Sequence, residues 1–173
     1  PISYTPDGNP MVGPAFGLEN FWISEGHSFG VTAAGGAGWQ LAEWVVNGEP
    51  SVDMLGVDPR RFGVVSKNFA KIKNEEAYAH VFVNHFPMEE RAEGRPAKTT
   101  PVYDRLDKAG AVWGARFGWE RPNWFAPQNV RRRDNYSFRR SNWFEHVGNE
   151  VRATRENVGL IELSSFSNLE KED

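Results

Sequence analysis

Residues 17–43 read GLENFWISEGHSFGVTAAGGAGWQLAE. An apolar run, a glycine-bracketed turn and a run of small residues follow one another here without a break, and that order decides the fold. Phe21, Trp22 and Ile23 have the β-branched and aromatic character of a strand. Gly26 and Gly30 bracket His-Ser-Phe, and from Val31 the side chains are small enough for close backbone approach. The spacing predicts a helix over 31–47: Val31, Ala34, Gly38, Leu41 and Val45 recur at intervals of three and four, and Asn47-Gly48 supplies a stop. Gly35, Gly36 and Gly38 lie inside it, each costing about 0.5–1 kcal/mol against Ala, so close packing on a sheet or a ligand is expected to offset them. The alternative is a loop to Gly38 with the helix beginning at Trp39. A turn that feeds a helix N-terminus leaves backbone N–H groups unpaired at the positive end of the macrodipole. It therefore reads as one wall of a cofactor site that favours an anionic group.

Upstream, ISYT, the punctuated PDGNPMVGP and FWIS read as strand, turn and strand. Downstream, residues 49–63 turn to Pro, Gly and charge, as in a connection with a short helical turn at DPRRF and a first candidate boundary. Residues 66–86 carry Phe69, Ile72, Ala79, Phe82 and Val83 at helical spacing, with Ser66 as N-cap and Pro87 as stop. A polar loop over 91–101, a short helix at YDRLDKAG and a strand at VWGARFG follow. Residues 119–143 are dense in aromatics and arginines with weak periodicity, and are expected to form an extended crossing between domains. A helix over 142–156 carries Trp143, Val147 and Val151 on one face, and 159–164 reads as a strand. The expected fold class is α+β.

Composition narrows the function classes. Hydrophobic residues make up 39% of the 173 positions and aromatics 13%, which indicates an ordered chain. The absence of cysteine excludes disulfides, thiolate metal sites and a cysteine nucleophile. No apolar run approaches the length that spans a bilayer, so no membrane partner is expected. A formal charge of −3, from 20 basic and 23 acidic residues, gives no global attraction to nucleic acid. The sequence opens at Pro1 inside an expected strand and stops at Asp173 just after an apolar run, so a piece of something longer is expected.

Three familiar constellations fit poorly. Gly36 and Gly38 match the first glycines of a dinucleotide-binding fingerprint, but Leu41 stands at the third and Trp39 is bulky where a pyrophosphate would approach. His80 and His85 are five apart, off the i, i+4 register of a zinc helix, so no metal site is expected. His27 sits in the turn itself but is more often positional than catalytic when alone. Arg131, Arg132, Arg133, Arg139 and Arg140, interleaved with Tyr136, Phe138 and Trp143, suit a domain interface better than nucleic acid. No catalytic residue is assigned.

Several long stretches resemble one family in its own order: PDGNPMVGP, residues 17–63, KNEEAYAH, FGWERPNWFAP and residues 137–166. The chain resembles the dimethylglycine dehydrogenase and sarcosine dehydrogenase family, FAD-dependent oxidoreductases with a C-terminal folate-binding, aminomethyltransferase-like region. The resemblance implies that residues 1–62 are the C-terminal end of the FAD-dependent oxidoreductase domain, 63–118 a middle segment and 119–173 the start of the folate-binding domain. It implies FAD and tetrahydrofolate as cofactors, and an N-methyl amine such as dimethylglycine or sarcosine as substrate. The rest of the parent polypeptide or partner subunits would complete the sites, in bacterial cytoplasm or the mitochondrial matrix. Carried over by position, Ser28, Phe29, Gly30, Val31, Thr32 and Ala33 would lie under the flavin ring, with Gly13 and Pro14 approaching the cofactor from a strand end. The 173 residues alone would be inactive. Alternatives are a non-catalytic subunit resembling the pyruvate dehydrogenase phosphatase regulatory subunit, or a folate-dependent aminomethyltransferase.

Overall fold

The computed structural model describes residues 2–63, 65–116 and 118–166. It is mixed helix and sheet and divides into two compact units, residues 1–83 and 84–173. The end of the expected 119–173 region, from residue 167, lies outside the described residues.

In the first unit, β1 (Met11–Pro14) pairs antiparallel with β2 (Trp22–Glu25), Met11 opposite Glu25 and Pro14 opposite Trp22. Val12 is 1% exposed, and its N–H reaches Val57 O at 2.8 Å. Residues 49–63 thus fold back onto the hairpin. α1 (Val31–Asn47) follows, continuous through Gly35, Gly36 and Gly38, and ends on Gly48 at φ 81°, whose N–H caps Trp44 O. Trp44 is the buried residue of α1, set edge-on to Trp22 at 6.0 Å. The expected turn at DPRRF is a 3-10 turn, Pro59–Phe62, capped by the Asp58 carboxylate on Arg60 N–H.

A buried guanidinium closes this unit. Arg61 donates to both Asp7 oxygens, at 2.8 and 3.0 Å, to Asn9 O at 3.0 Å and to Asp58 O at 3.0 Å. It ties the N-terminal turn to the connection 54 residues later. α2 (Lys67–Ala79) starts where expected, with Ser66 Oγ accepting from Phe69 N–H. It stops at Ala79, well before Pro87: the His80 ring bonds Glu76 O at 2.7 Å, and turns follow. The ISYT segment forms no strand, because it meets no sheet edge. Its Tyr4 carbonyl accepts instead from Asn74 Nδ2 of α2 at 3.1 Å.

In the second unit, α3 (Tyr103–Lys108) leads into β3 (Ala111–Arg116), which pairs antiparallel with β4 (Trp119–Phe125) through a turn at Gly118. The expected crossing over 119–143 is therefore corrected for its first seven residues, which form a strand of this unit's own hairpin. Pro122 concealed it. The pairing carries a register irregularity between Val112 and Trp113, beside the position where Pro122 lacks a donor. Val112, Trp124 and Ala126 form the buried cluster, with Val130, Trp143 and Val147 packed on it. α4 (Phe144–Glu156) lies against β4, its Glu150 Oε1 accepting from Phe125 N–H at 2.8 Å. The strand expected over 159–164 is not formed: the segment has no ladder partner among the described residues, and Leu160 is 99% exposed.

Candidate functional site

The turn of residues 26–33 is built by glycine geometry. Gly26 has φ 73°, and a Cβ there would stand 2.7 Å from Thr5 Cγ2. Gly30 has φ 55° and forms the N-cap of α1 with no side-chain cap, and the first helical turn carries no acidic residue. Among the described residues no side-chain cap and no first-turn acid offsets the positive end of this helix. Gly30 N–H reaches His27 O at 3.0 Å and Ser28 N–H reaches Gly26 O at 2.9 Å, which fold the turn tightly. Thr32 N–H meets Phe29 O only at 3.4 Å.

Two polar atoms in the turn are buried without a hydrogen-bond partner among the described residues, His27 Nδ1 and Ser28 Oγ. The opposite ring nitrogen, His27 Nε2, is 3.0 Å from Ser24 Oγ. Beyond the turn, no atom lies within 4 Å of where a Cβ would sit on Gly30, Gly35, Gly36 or Gly38. Phe29 is 60% and Val31 94% exposed. An uncapped helix start with orphaned polar atoms beside it can receive an anionic group, and these residues are compatible with the anionic edge of a flavin.

Gly13 and Pro14 lie elsewhere. Gly13 has φ 143°, and its Cβ position is 2.8 Å from Trp44 Cζ3 and 3.2 Å from Pro59 Cδ. Trp44 lies near the far end of α1, about 20 Å along the axis from Val31 at 1.5 Å per residue. The structure thus gathers Ser28, Phe29, Gly30, Val31, Thr32 and Ala33 at one end of α1 and sets Gly13 beside its other end. Pro14 closes the ladder opposite Trp22.

The remaining histidines have local partners. The His85 ring stands 3.8 Å from the Glu89 carboxylate, and His146 stacks on Trp124 at 5.1 Å. Among the described residues no group of three or more His, Asp or Glu is placed to hold a metal ion.

A second concave surface, of about 260 Å³, lies in the other unit and was not legible from spacing. Tyr103 stacks on Trp113 at 4.1 Å, beside the Arg95–Glu120 pair, bidentate at 2.6 and 3.0 Å. The hydrogen bonds Arg95 donates to the Glu120 carboxylate, against the opposing effect of burial, hold the pKa of its guanidinium above the ordinary range. Burial, reinforced by the Glu120 and Asp107 charges, pushes the Tyr103 phenol up. The charges satisfy each other, which leaves a neutral aromatic wall. Residues at 95, 103, 113 and 120 meet only through the hairpin, so no sequence motif marks them.

Residues 47–100 match the FAD dependent oxidoreductase central domain, and residues 102–172 the GCVT N-terminal domain. The chain is 38% identical over 167 residues to mitochondrial dimethylglycine dehydrogenase of Mus musculus, covering 96% of this chain and 19% of that protein. It is 36% identical over 142 residues to mitochondrial sarcosine dehydrogenase of Mus musculus, covering 80% of this chain and 16% of the relative. It is 34% identical over 176 residues to the mitochondrial pyruvate dehydrogenase phosphatase regulatory subunit of Mus musculus, covering 98% and 20% respectively. The chain spans about a fifth of the length of these relatives. With two consecutive family domains and this identity along most of its length, the chain belongs to the dimethylglycine dehydrogenase and sarcosine dehydrogenase family.

Proposed function

We propose that this chain supplies the end of the flavin-binding half, and the beginning of the folate-binding half, of an FAD-dependent enzyme that demethylates N-methyl glycines. The succession of an FAD dependent oxidoreductase central domain and a GCVT N-terminal domain in one chain carries this reading. Ser28, Phe29, Gly30, Val31, Thr32 and Ala33 would hold the flavin. FAD, when bound, supplies the two-electron acceptor for oxidation of the substrate's N-methyl carbon. The chain's own part is electrostatic and steric. The uncapped start of α1 carries about half a positive charge, which favours the anionic edge of a reduced flavin. Gly30 lets the backbone come close, and Ser28 Oγ is a donor without a partner among the described residues.

The one-carbon unit would pass to tetrahydrofolate held by a domain that starts in residues 119–173. Within the proposed parent, residues 1–62, 63–118 and 119–173 are flavin, middle and folate segments, and the rest of the polypeptide or partner subunits complete the sites. Among the described residues no helix is long and apolar enough to cross a membrane. We place the protein in bacterial cytoplasm or, as the names of its mouse relatives state for themselves, in mitochondria.

The test uses the complete polypeptide that carries this segment. Anaerobic addition of dimethylglycine or sarcosine should bleach a bound flavin, and tetrahydrofolate should suppress release of formaldehyde. A protein that binds no flavin and turns over neither amine would refute the enzyme. It would favour the second reading, a regulatory role, which the 34% identity to a phosphatase regulatory subunit supports. Turnover of sarcosine by the 173 residues alone would contradict the expectation that the site is completed from outside.

A further inference from the structure

Residues 131–140, RRRDNYSFRR, carry five arginines, no lysine and a single acid. That acid faces inward: Asp134 Oδ1 accepts from the indole of the buried Trp124 at 2.7 Å. Arg132 pairs with Asp107 at 2.5 Å and donates to Ala111 O at 3.0 Å, and Arg140 lies 4.3 Å over the Phe144 ring. Arg131, Arg133 and Arg139 are exposed and have no acidic partner among the described residues.

The loop that bears them is pinned. Asn142 donates from Nδ2 to Arg133 O at 2.9 Å and accepts at Oδ1 from Asn135 N–H at 2.7 Å, which staples its two ends together. Tyr136 OH accepts from Glu90 N–H at 3.3 Å, and Phe138 packs on Phe86 with ring centres 4.7 Å apart. Three unneutralised guanidinium groups therefore project from an ordered loop, on a chain whose formal charge is −3.

We propose that this arginine loop docks an acidic polypeptide segment, whose Asp and Glu carboxylates pair with Arg131, Arg133 and Arg139. The guanidinium fork matches a carboxylate bidentately, whereas lysine offers only a point charge. Single-stranded nucleic acid is the lesser fit, because it stacks on free aromatic faces. Tyr136 is half-buried and Trp143 belongs to the packed cluster, so Phe138, 70% exposed with Phe86 tilted against it, is a single open ring rather than a row of stacking faces. The surface does not depend on the flavin reading.

The test is fluorescence anisotropy of the full chain with a labelled octaglutamate peptide at low ionic strength. Saturable binding is expected, and it should weaken as salt is raised. The combined substitutions Arg131→Gln, Arg133→Gln and Arg139→Gln should weaken it by about tenfold or more. Near-ultraviolet circular dichroism checks the fold of that variant. Should it misfold, single Arg131→Gln and Arg139→Gln variants replace it, each expected to lose about threefold. Absence of saturable binding, or unchanged affinity in the folded variants, would overturn the proposal. Tighter binding of a single-stranded oligothymidylate of equal charge would overturn it in favour of nucleic acid.

Discussion

Substituting Gly13→Ala separates two reasons for a glycine at that position, approach to a cofactor and approach to Trp44. At φ 143° the backbone occupies a region that L residues avoid, a strain of about 1–2 kcal/mol. The new methyl would lie 2.8 Å from Trp44 Cζ3 and 3.2 Å from Pro59 Cδ, so ring or strand must shift. Trp44 has little room, being 7% exposed with Trp22 edge-on and the Arg60 guanidinium 5.5 Å over its ring. Overpacking of this kind adds about 1–3 kcal/mol. The sum is a loss of about 2–5 kcal/mol, which at about 1 kcal/mol per molar urea lowers the midpoint of the first unit by roughly 2 M or more. Equilibrium urea unfolding followed by tryptophan fluorescence measures it. Gly36→Ala is the internal control: nothing lies within 4 Å, so alanine should stabilise α1 by about 0.5–1 kcal/mol. Coincident curves for Gly13→Ala and the unsubstituted chain, or a destabilised Gly36→Ala, would show the packing argument to be wrong.

Three further outcomes are expected. Arg61→Met removes four hydrogen bonds from a side chain that is 8% exposed, so the first unit should lose about 2–4 kcal/mol in the same urea assay. Burial tends to raise the Asp58 carboxyl, but the side-chain and backbone hydrogen bonds of Arg60 and the charges of Arg60 and Arg61 hold it below the ordinary carboxylate range. A depressed folded value gives stability that is full above about pH 4 and lost as pH falls through the folded value. Asp58→Asn should therefore flatten the acid limb of the urea midpoint against pH. In the complete polypeptide, Gly30→Val places a branched side chain at φ 55° beside the uncapped helix start, and should lower flavin retention measured by absorbance after gel filtration. Wild-type flavin content in that variant would remove the turn from the cofactor site.

The local signals were strong where one segment carries its own stop or cap. α1 runs over the expected residues 31–47 because Asn47-Gly48 supplies the left-handed cap, and the glycines inside it did not break it. Ser66 marked the start of α2 for the same reason, through a hydrogen bond to a residue three positions on. Where an element depends on a distant partner, reading failed. ISYT and 159–164 have the composition of strands but pair with no edge among the described residues, and Pro122 hid a strand that β3 nonetheless recruits.

The sequence by itself determined the glycine-bracketed turn, the helix it feeds and the family pattern, since each is written in residues adjacent along the chain. Tertiary structure alone set Gly13 against the Trp44 ring, at the opposite end of α1 from Ser28 to Ala33. It also decided that Arg61 closes on Asp7 and that Arg95 meets Glu120 beside a stacked Tyr103 and Trp113. The physical reason is that caps and turns are satisfied within a few residues. Buried charges and close backbone approaches take their partners from wherever the fold brings them.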